Sequence, residues 1–160
     1  MRAMALAACC ALSLPLAAQQ AKTPLKPVHA VHIGFGQWVG ICYGYCSVEL
    51  EVSPGEATLL KTADRSDKRK HPDLRVRADL STKHWKELQQ LADHDTLFAL
   101  PDHVGCPGCV DEEVEFLEVK FSDRSKKLIS YNAGSAPKEI KELTDKLRTL
   151  ENKLGSELPL

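Results

Sequence analysis

Apolar and polar positions alternate in short runs along most of the chain, and in two places the alternation gives way to helical spacing. Val31, Ile33 and Phe35 alternate with His32, Gly34 and Gly36, which predicts a half-buried strand whose other face is unusually small. Val48, Leu50 and Val52 alternate with Ser47, Glu49 and Glu51, a strand with one charged, wet face. Pro54 and Gly55 then occupy the central positions that a type II turn prefers, so residues 57–62 are expected to return antiparallel. The stretch ADRSDKRKHPD reads as an exposed loop, and Leu74, Val76 and Ala78 alternate with Arg75, Arg77 and Asp79 in another short strand.

The helical spacing begins after Ser81, a suitable N-cap, with Leu80 and Trp85 placed as a hydrophobic staple. Trp85, Leu88, Leu91 and Ala92 form its apolar face, and the helix is expected to end around Asp93 to Asp95, with TLFAL as a short apolar continuation stopped by Pro101. Leu117, Val119 and Phe121 alternate with Glu118, Lys120 and Ser122, Ser122 to Ser125 suits a turn, and residues 127–131 suit a return strand. A last helix, its start marked by Ser135 and Pro137, carries Ile140, Leu143, Leu147, Leu150 and Leu154 at steps of three and four, with Gly155 placed to end it. The pattern predicts an α+β fold: an antiparallel sheet built from two strand groups, each followed by a helix packed on one face.

Length changes the picture little, since 160 residues suit one domain with a core of its own. The first residues change it more. Arg2 followed by an uncharged apolar run to Ala18 is the pattern of a secretory signal peptide, with Ala17 and Ala18 before the cleavage point. The expected organisation is a signal peptide over 1–18, a proline-containing linker over 19–29, a single domain over 30–155 and a tail over 156–160. The alternative is a lipoprotein signal, because LAAC ending at Cys9 has the small-residue pattern that precedes a lipidated cysteine. Either way the protein is expected to be exported, periplasmic or secreted, with no transmembrane segment in the mature chain. Losing Arg2 takes the 21 basic residues to 20 against 22 acidic, a balance that argues against a nucleic-acid partner.

Export also governs the cysteines. Of six, Cys9 and Cys10 leave with the signal, and Cys42, Cys46, Cys106 and Cys109 remain, an even number in an oxidising compartment. CPGC, Cys106 to Cys109, could be a working dithiol, half of a metal site or a structural clip. A redox dithiol needs a lowered thiol pKa from a helix N-terminus or nearby cations. Here a strand follows, and Asp111, Glu112 and Glu113 favour the neutral thiol, with His103 alone opposing them. The four thiols could instead hold zinc, with His103 as a substitute ligand. As a clip, pairing within each element closes tiny loops worth about 2 kcal/mol each, whereas pairing between elements closes roughly sixty residues for about 4 kcal/mol. Gly44 and Pro107-Gly108 favour tight turns and keep local pairing open.

Trp38, Tyr43 and Tyr45 surround Cys42 among Gly34, Gly36, Gly40 and Gly44, either as a contact surface displayed by a glycine-rich loop or as rings covering the edge of the core. Basic residues at 65–77 alternate with aspartates and have no aromatic among them, which suits a solvated loop. Ser135 to Lys138 matches a Ser-x-x-Lys spacing without its companion motifs, and the six histidines form no catalytic arrangement, although Asp93, His94, Asp95 and His103 flank one short segment.

CYGYCSVELEVSPGEATL, a Cys-aromatic-Gly-x-Cys element followed by an alternating strand and a glycine turn, resembles the start of the secreted family termed domain of unknown function 6438. HWKELQQL, Asp111 before a strand, and Ala136-Pro137 ahead of a leucine-rich helix extend the resemblance over residues 31–152. The chain departs from the family in having Ser47 where proline is usual, and in adding Cys106 and Cys109. The resemblance implies an exported α+β domain and no catalytic activity. The expected function is therefore a non-enzymatic, disulfide-stabilised binding domain without a cofactor, contacting a protein or envelope component through Trp38, Tyr43 and Tyr45. The alternative is a thiol-disulfide redox or zinc-binding protein using Cys42, Cys46, Cys106 and Cys109.

Overall fold

A computed structural model describes residues 27–109 and 112–158. The expected signal peptide with Cys9, most of the linker, Asp111 and the end of the tail lie outside the described residues. The chain runs β1 (Ala30–Trp38), β2 (Tyr45–Ser53), β3 (Glu56–Ala63), β4 (Leu74–Asp79), α1 (Thr82–Leu91), α2 (His94–Ala99), β5 (His103–Val104), β6 (Val114–Phe121), β7 (Lys126–Asn132) and α3 (Lys141–Gly155). It is an α+β arrangement around one mostly antiparallel sheet of seven strands, in the order β4-β3-β2-β1-β6-β7-β5. β1 joins the early and late strands by pairing with both β2 and β6, and β5 is the parallel exception, running beside β7.

Register explains the core. Leu59, Leu50, Phe35, Leu117 and Ile129 lie opposite one another across five strands, and Ala57, Val52, Ile33 and Val119 form the next row. Trp85 and Leu88 of α1, Leu97 of α2, and Leu143, Leu147 and Leu154 of α3 join the same buried cluster. Val31 does not follow the expected alternation. The register of β1 against β6 shifts between Ala30 and His32, and this bulge turns Val31 outward while Ile33 and Phe35 stay inside. Gly55 has the positive φ, +91°, that the third position of a type II turn requires.

The helix ends differ from the expected ones for local reasons. Ser81 caps α1 by accepting from the His84 N–H at 3.2 Å, as its position suggested. The TLFAL continuation belongs to a separate helix, α2, whose N-cap is Asp93, accepting from the Thr96 N–H at 2.9 Å. Ser135 and Pro137 do not start α3. Residues 137–140 form a turn closed by the Ile140 N–H on the Pro137 carbonyl, and the helix proper begins at Lys141.

On the sheet face away from the helices, Gly34 and Gly36 make room for their neighbours. A Cβ at Gly36 would collide with the Val48 carbonyl oxygen and stand 2.9 Å from Cζ of Phe116, whose ring crosses that position. Gly36→Ala is therefore expected to destabilise the domain by about 2 kcal/mol through overpacking, read as a lower urea midpoint. An unchanged midpoint would show that the β1–β2 ladder at Val48 and the Phe116 ring both give way at little cost. Around these glycines burial raises the Glu49 pKa, with Glu51 and Glu118 adding to it, and burial lowers that of His32, with Lys120 second.

Candidate functional site

Both cysteine elements stand at the same end of the sheet, where β1 leaves at Trp38 and β6 enters at Val114, its cross-strand partner. In the loop from β1 to β2, Cys42 is bonded to Cys46 with Cα atoms 5.6 Å apart, and the Val39 N–H donates to the Cys46 carbonyl at 3.0 Å to close the base. In CPGC, Cys106 is bonded to Cys109 with Cα atoms 5.5 Å apart, and the Cys109 N–H donates to the Cys106 carbonyl. The pairing is local in both elements. As bonded, the four sulfurs are not thiolates, the form that attacks disulfides or ligates metal. Among the described residues no group of three or more His, Cys, Asp or Glu side chains is arranged to hold a metal ion.

The two elements touch through Trp38. A Cβ added to Gly108 would lie 3.7 Å from Cη2 of the indole and 3.8 Å from Cγ2 of Val114, so the CPGC turn packs across the tryptophan edge. Asn132 at the end of β7 holds the turn. Its Oδ1 accepts from the Cys106 N–H at 3.2 Å, and its Nδ2 donates to the Cys106 carbonyl and to the Glu112 carboxylate. His103 does not face the cysteines as a substitute ligand. It lies in β5 with Nδ1 2.6 Å from Ser130 Oγ. His94 is likewise engaged elsewhere, stacked on Phe98 at 4.5 Å and edge-on to Phe121.

The three aromatic residues take two roles. Tyr45 points back into the protein: its hydroxyl donates to the Pro72 carbonyl at 3.0 Å and its ring meets His71 edge-on at 5.5 Å. Gly44, at φ +84°, donates its N–H to Asp67 Oδ2 at 2.9 Å, and Asp67 also lies 3.7 Å from His71 Nε2. The charged loop after β3 is thereby fastened to the disulfide loop, and Tyr45 is an anchor rather than part of the displayed surface. Tyr43 and Trp38 are exposed, at 96% and 44%. Ile41, 76% exposed, joins them, and it went unnoticed in the sequence because it belongs to no alternating run. The result is an apolar tip of two aromatic rings and a branched aliphatic, clamped by a disulfide below and by Asp67 and Pro72 at the side.

A second cluster lies under α3. Glu115, 3% exposed, occupies an inward position of β6, and Arg148 Nη2 reaches its two carboxylate oxygens at 2.9 and 2.8 Å. Arg148 also bonds Asp145 at 3.0 Å and lies 5.7 Å from the Phe35 ring centroid. Next to it, burial pushes the Glu151 pKa up to about 7, with Glu115 and Glu113 adding to the rise and Arg148 and Lys61 opposing it. The buried Tyr131 hydroxyl makes no hydrogen bond of good geometry, and burial, followed by the Glu115 charge, raises its pKa. Glu115 sits two positions before Leu117, and Glu151 lies between Leu147 and Leu154 on the leucine face of α3. Extending the two apolar periods would have found both.

No protein-family model, curated protein or solved structure matches the chain.

Proposed function

We propose that the protein is an exported, disulfide-stabilised binding domain that engages an envelope or secreted protein through Trp38, Ile41 and Tyr43. The observation that supports this reading best is the exposure of Ile41 and Tyr43 on a loop fixed at both sides. Exposed apolar side chains on a mobile loop would lose much of their binding energy in being ordered. On a fastened loop that cost is largely met at folding. Aromatic residues are also the usual anchors of protein interfaces. On this reading the chain is a member of the secreted family termed domain of unknown function 6438, built as two strand groups each followed by a helix, and it works without a cofactor.

The test is carried out in the compartment where the reading places the protein. A photo-crosslinking amino acid replacing Tyr43 is expected to give a discrete adduct in producing cells, and one replacing the exposed Asp95 on α2 is expected to give none. Ile41→Ser with Trp38→Ser should abolish the adduct. The exported protein should begin at Gln19 and carry four cysteines that resist alkylation. Identical adducts from both positions, or free thiols in the exported pool, would remove the basis of the reading.

A further inference from the structure

β4 is an edge strand, and its outer row of backbone N–H and C=O groups faces no neighbouring strand among the described residues. An open edge of this kind is a template for strand addition. Its side chains divide by face: Arg75, Arg77 and, at the strand's end, Asp79 are exposed on the open sheet face, while Leu74, Val76 and Ala78 are half-buried on the helix side. Neither arginine forms an ion pair among the described residues. Across the ladder Arg75 faces Leu60 and Arg77 faces Thr58, and the nearest acidic residues in those rows, Glu49 and Glu51, stand a strand further away on β2.

The helix side of the same edge is not closed. α1 starts beside β4 after Leu80, and α3 ends over β3, where Gly155 approaches Leu59 and Lys61. Between the two helices lies a groove of about 530 Å³ whose apolar lining is Ala57, Ala78, Leu80, Leu88, Leu150 and Leu154. Ala78 belongs to both the edge and the groove. A strand laid against β4 would direct alternate side chains toward the groove mouth and the intervening ones alongside Arg75 and Arg77.

We propose that the β4 edge binds an extended partner segment in which apolar and acidic residues alternate, its acids beside Arg75 and Arg77 and its apolar side chains at the groove between α1 and α3. The chain contains a strand of that pattern in the same sheet: Val48-Glu49-Leu50-Glu51-Val52 of β2 turns Leu50 and Val52 to the core and its glutamates to the open face. A second copy of β4 fits less well. Antiparallel self-pairing centred on Val76 sets Arg75 against Arg77 twice; centred on Arg77 it sets that arginine against itself, though Arg75 then meets Asp79 on each side, and only a register of three residues centred on Ala78 avoids like charge.

The probe is a labelled peptide, Val-Glu-Leu-Glu-Val between Gly-Ser ends, compared with Val-Lys-Leu-Lys-Val in the same frame by fluorescence polarisation against the mature protein. The acidic peptide is expected to bind roughly tenfold more tightly, since two attractive cross-strand pairs replace two repulsive ones. R75E with R77E should invert the preference, and β4 amides should gain protection from hydrogen exchange in the complex. Should the reversed variant not fold, R75Q with R77Q is expected to bind the two peptides equally. Ile41→Ser with Tyr43→Ser should leave the titration unchanged, which separates this site from the aromatic tip. Equal binding of both peptides to the native protein, no added protection in β4, or self-association through β4 that the acidic peptide does not displace would each overturn the proposal.

Discussion

Arg148→Met is expected to destabilise the domain by about 3 kcal/mol, because it leaves the Glu115 carboxyl group without its partner in a site with little access to water. The guanidinium reaches both carboxylate oxygens, and no other cation is bonded to Glu115 among the described residues. The loss should come from the orphaned carboxyl group rather than from missing attraction. Replacing both partners, Glu115→Leu with Arg148→Met, should therefore recover most of the stability, since buried pairs exchanged for apolar groups of similar volume are often neutral. Urea unfolding of the native protein, the two single variants and the double variant closes the cycle. If the double variant is as unstable as the sum of the singles, the pair contributes through packing and not through charge.

The second large effect is on pH dependence. Glu151 has a folded-state pKa of about 7 against 4.5 in the unfolded chain, so between these values the folded protein holds a proton that the unfolded chain releases. Its contribution to stability is complete below about pH 4.5 and is lost as pH rises to about 7, about 3 kcal/mol across the window. The groups facing it are Glu115 and Glu113 from β6 and its approach, Lys61 from β3 and Arg148 from its own helix. Glutamine copies the protonated form. Glu151→Gln should match the native protein at pH 4.5 and exceed it by about 3 kcal/mol at pH 8. His32 and the hydrogen-bonded aspartates 93, 102 and 145 have lowered pKa values and push the opposite way, but they do so equally in both proteins. Parallel pH profiles for the two proteins would contradict a buried, protonated Glu151.

Much of the fold could be read from local pattern. The alternation through Leu50 and Val52, the Pro54-Gly55 turn and the Ser81 cap each report a conformation set within a few residues, and each was found where the pattern placed it. The elements that were missed depend on partners far along the chain. β5 is two residues long and exists only because His103 and Val104 lie beside Ser130 and Tyr131. Val31 looks like a core residue in sequence, and only the register against β6 shows it to be a bulge. At the candidate site, the aromatic cluster around Cys42 was visible, but the division between anchor and display was not. That division rests on Asp67 and Pro72, more than twenty residues from Gly44 and Tyr45.

The disulfides join residues only four and three positions apart. They therefore tie no strand to another remote strand, and the long-range topology rests on the hydrophobic rows and on the ladders of β1 with β2 and β6. Assembly of the sheet and oxidation of the thiols are separable events. A reductant is therefore expected to loosen the aromatic tip, where Asp67 and Pro72 still hold Gly44 and Tyr45, while the strand ladders beneath it stay paired.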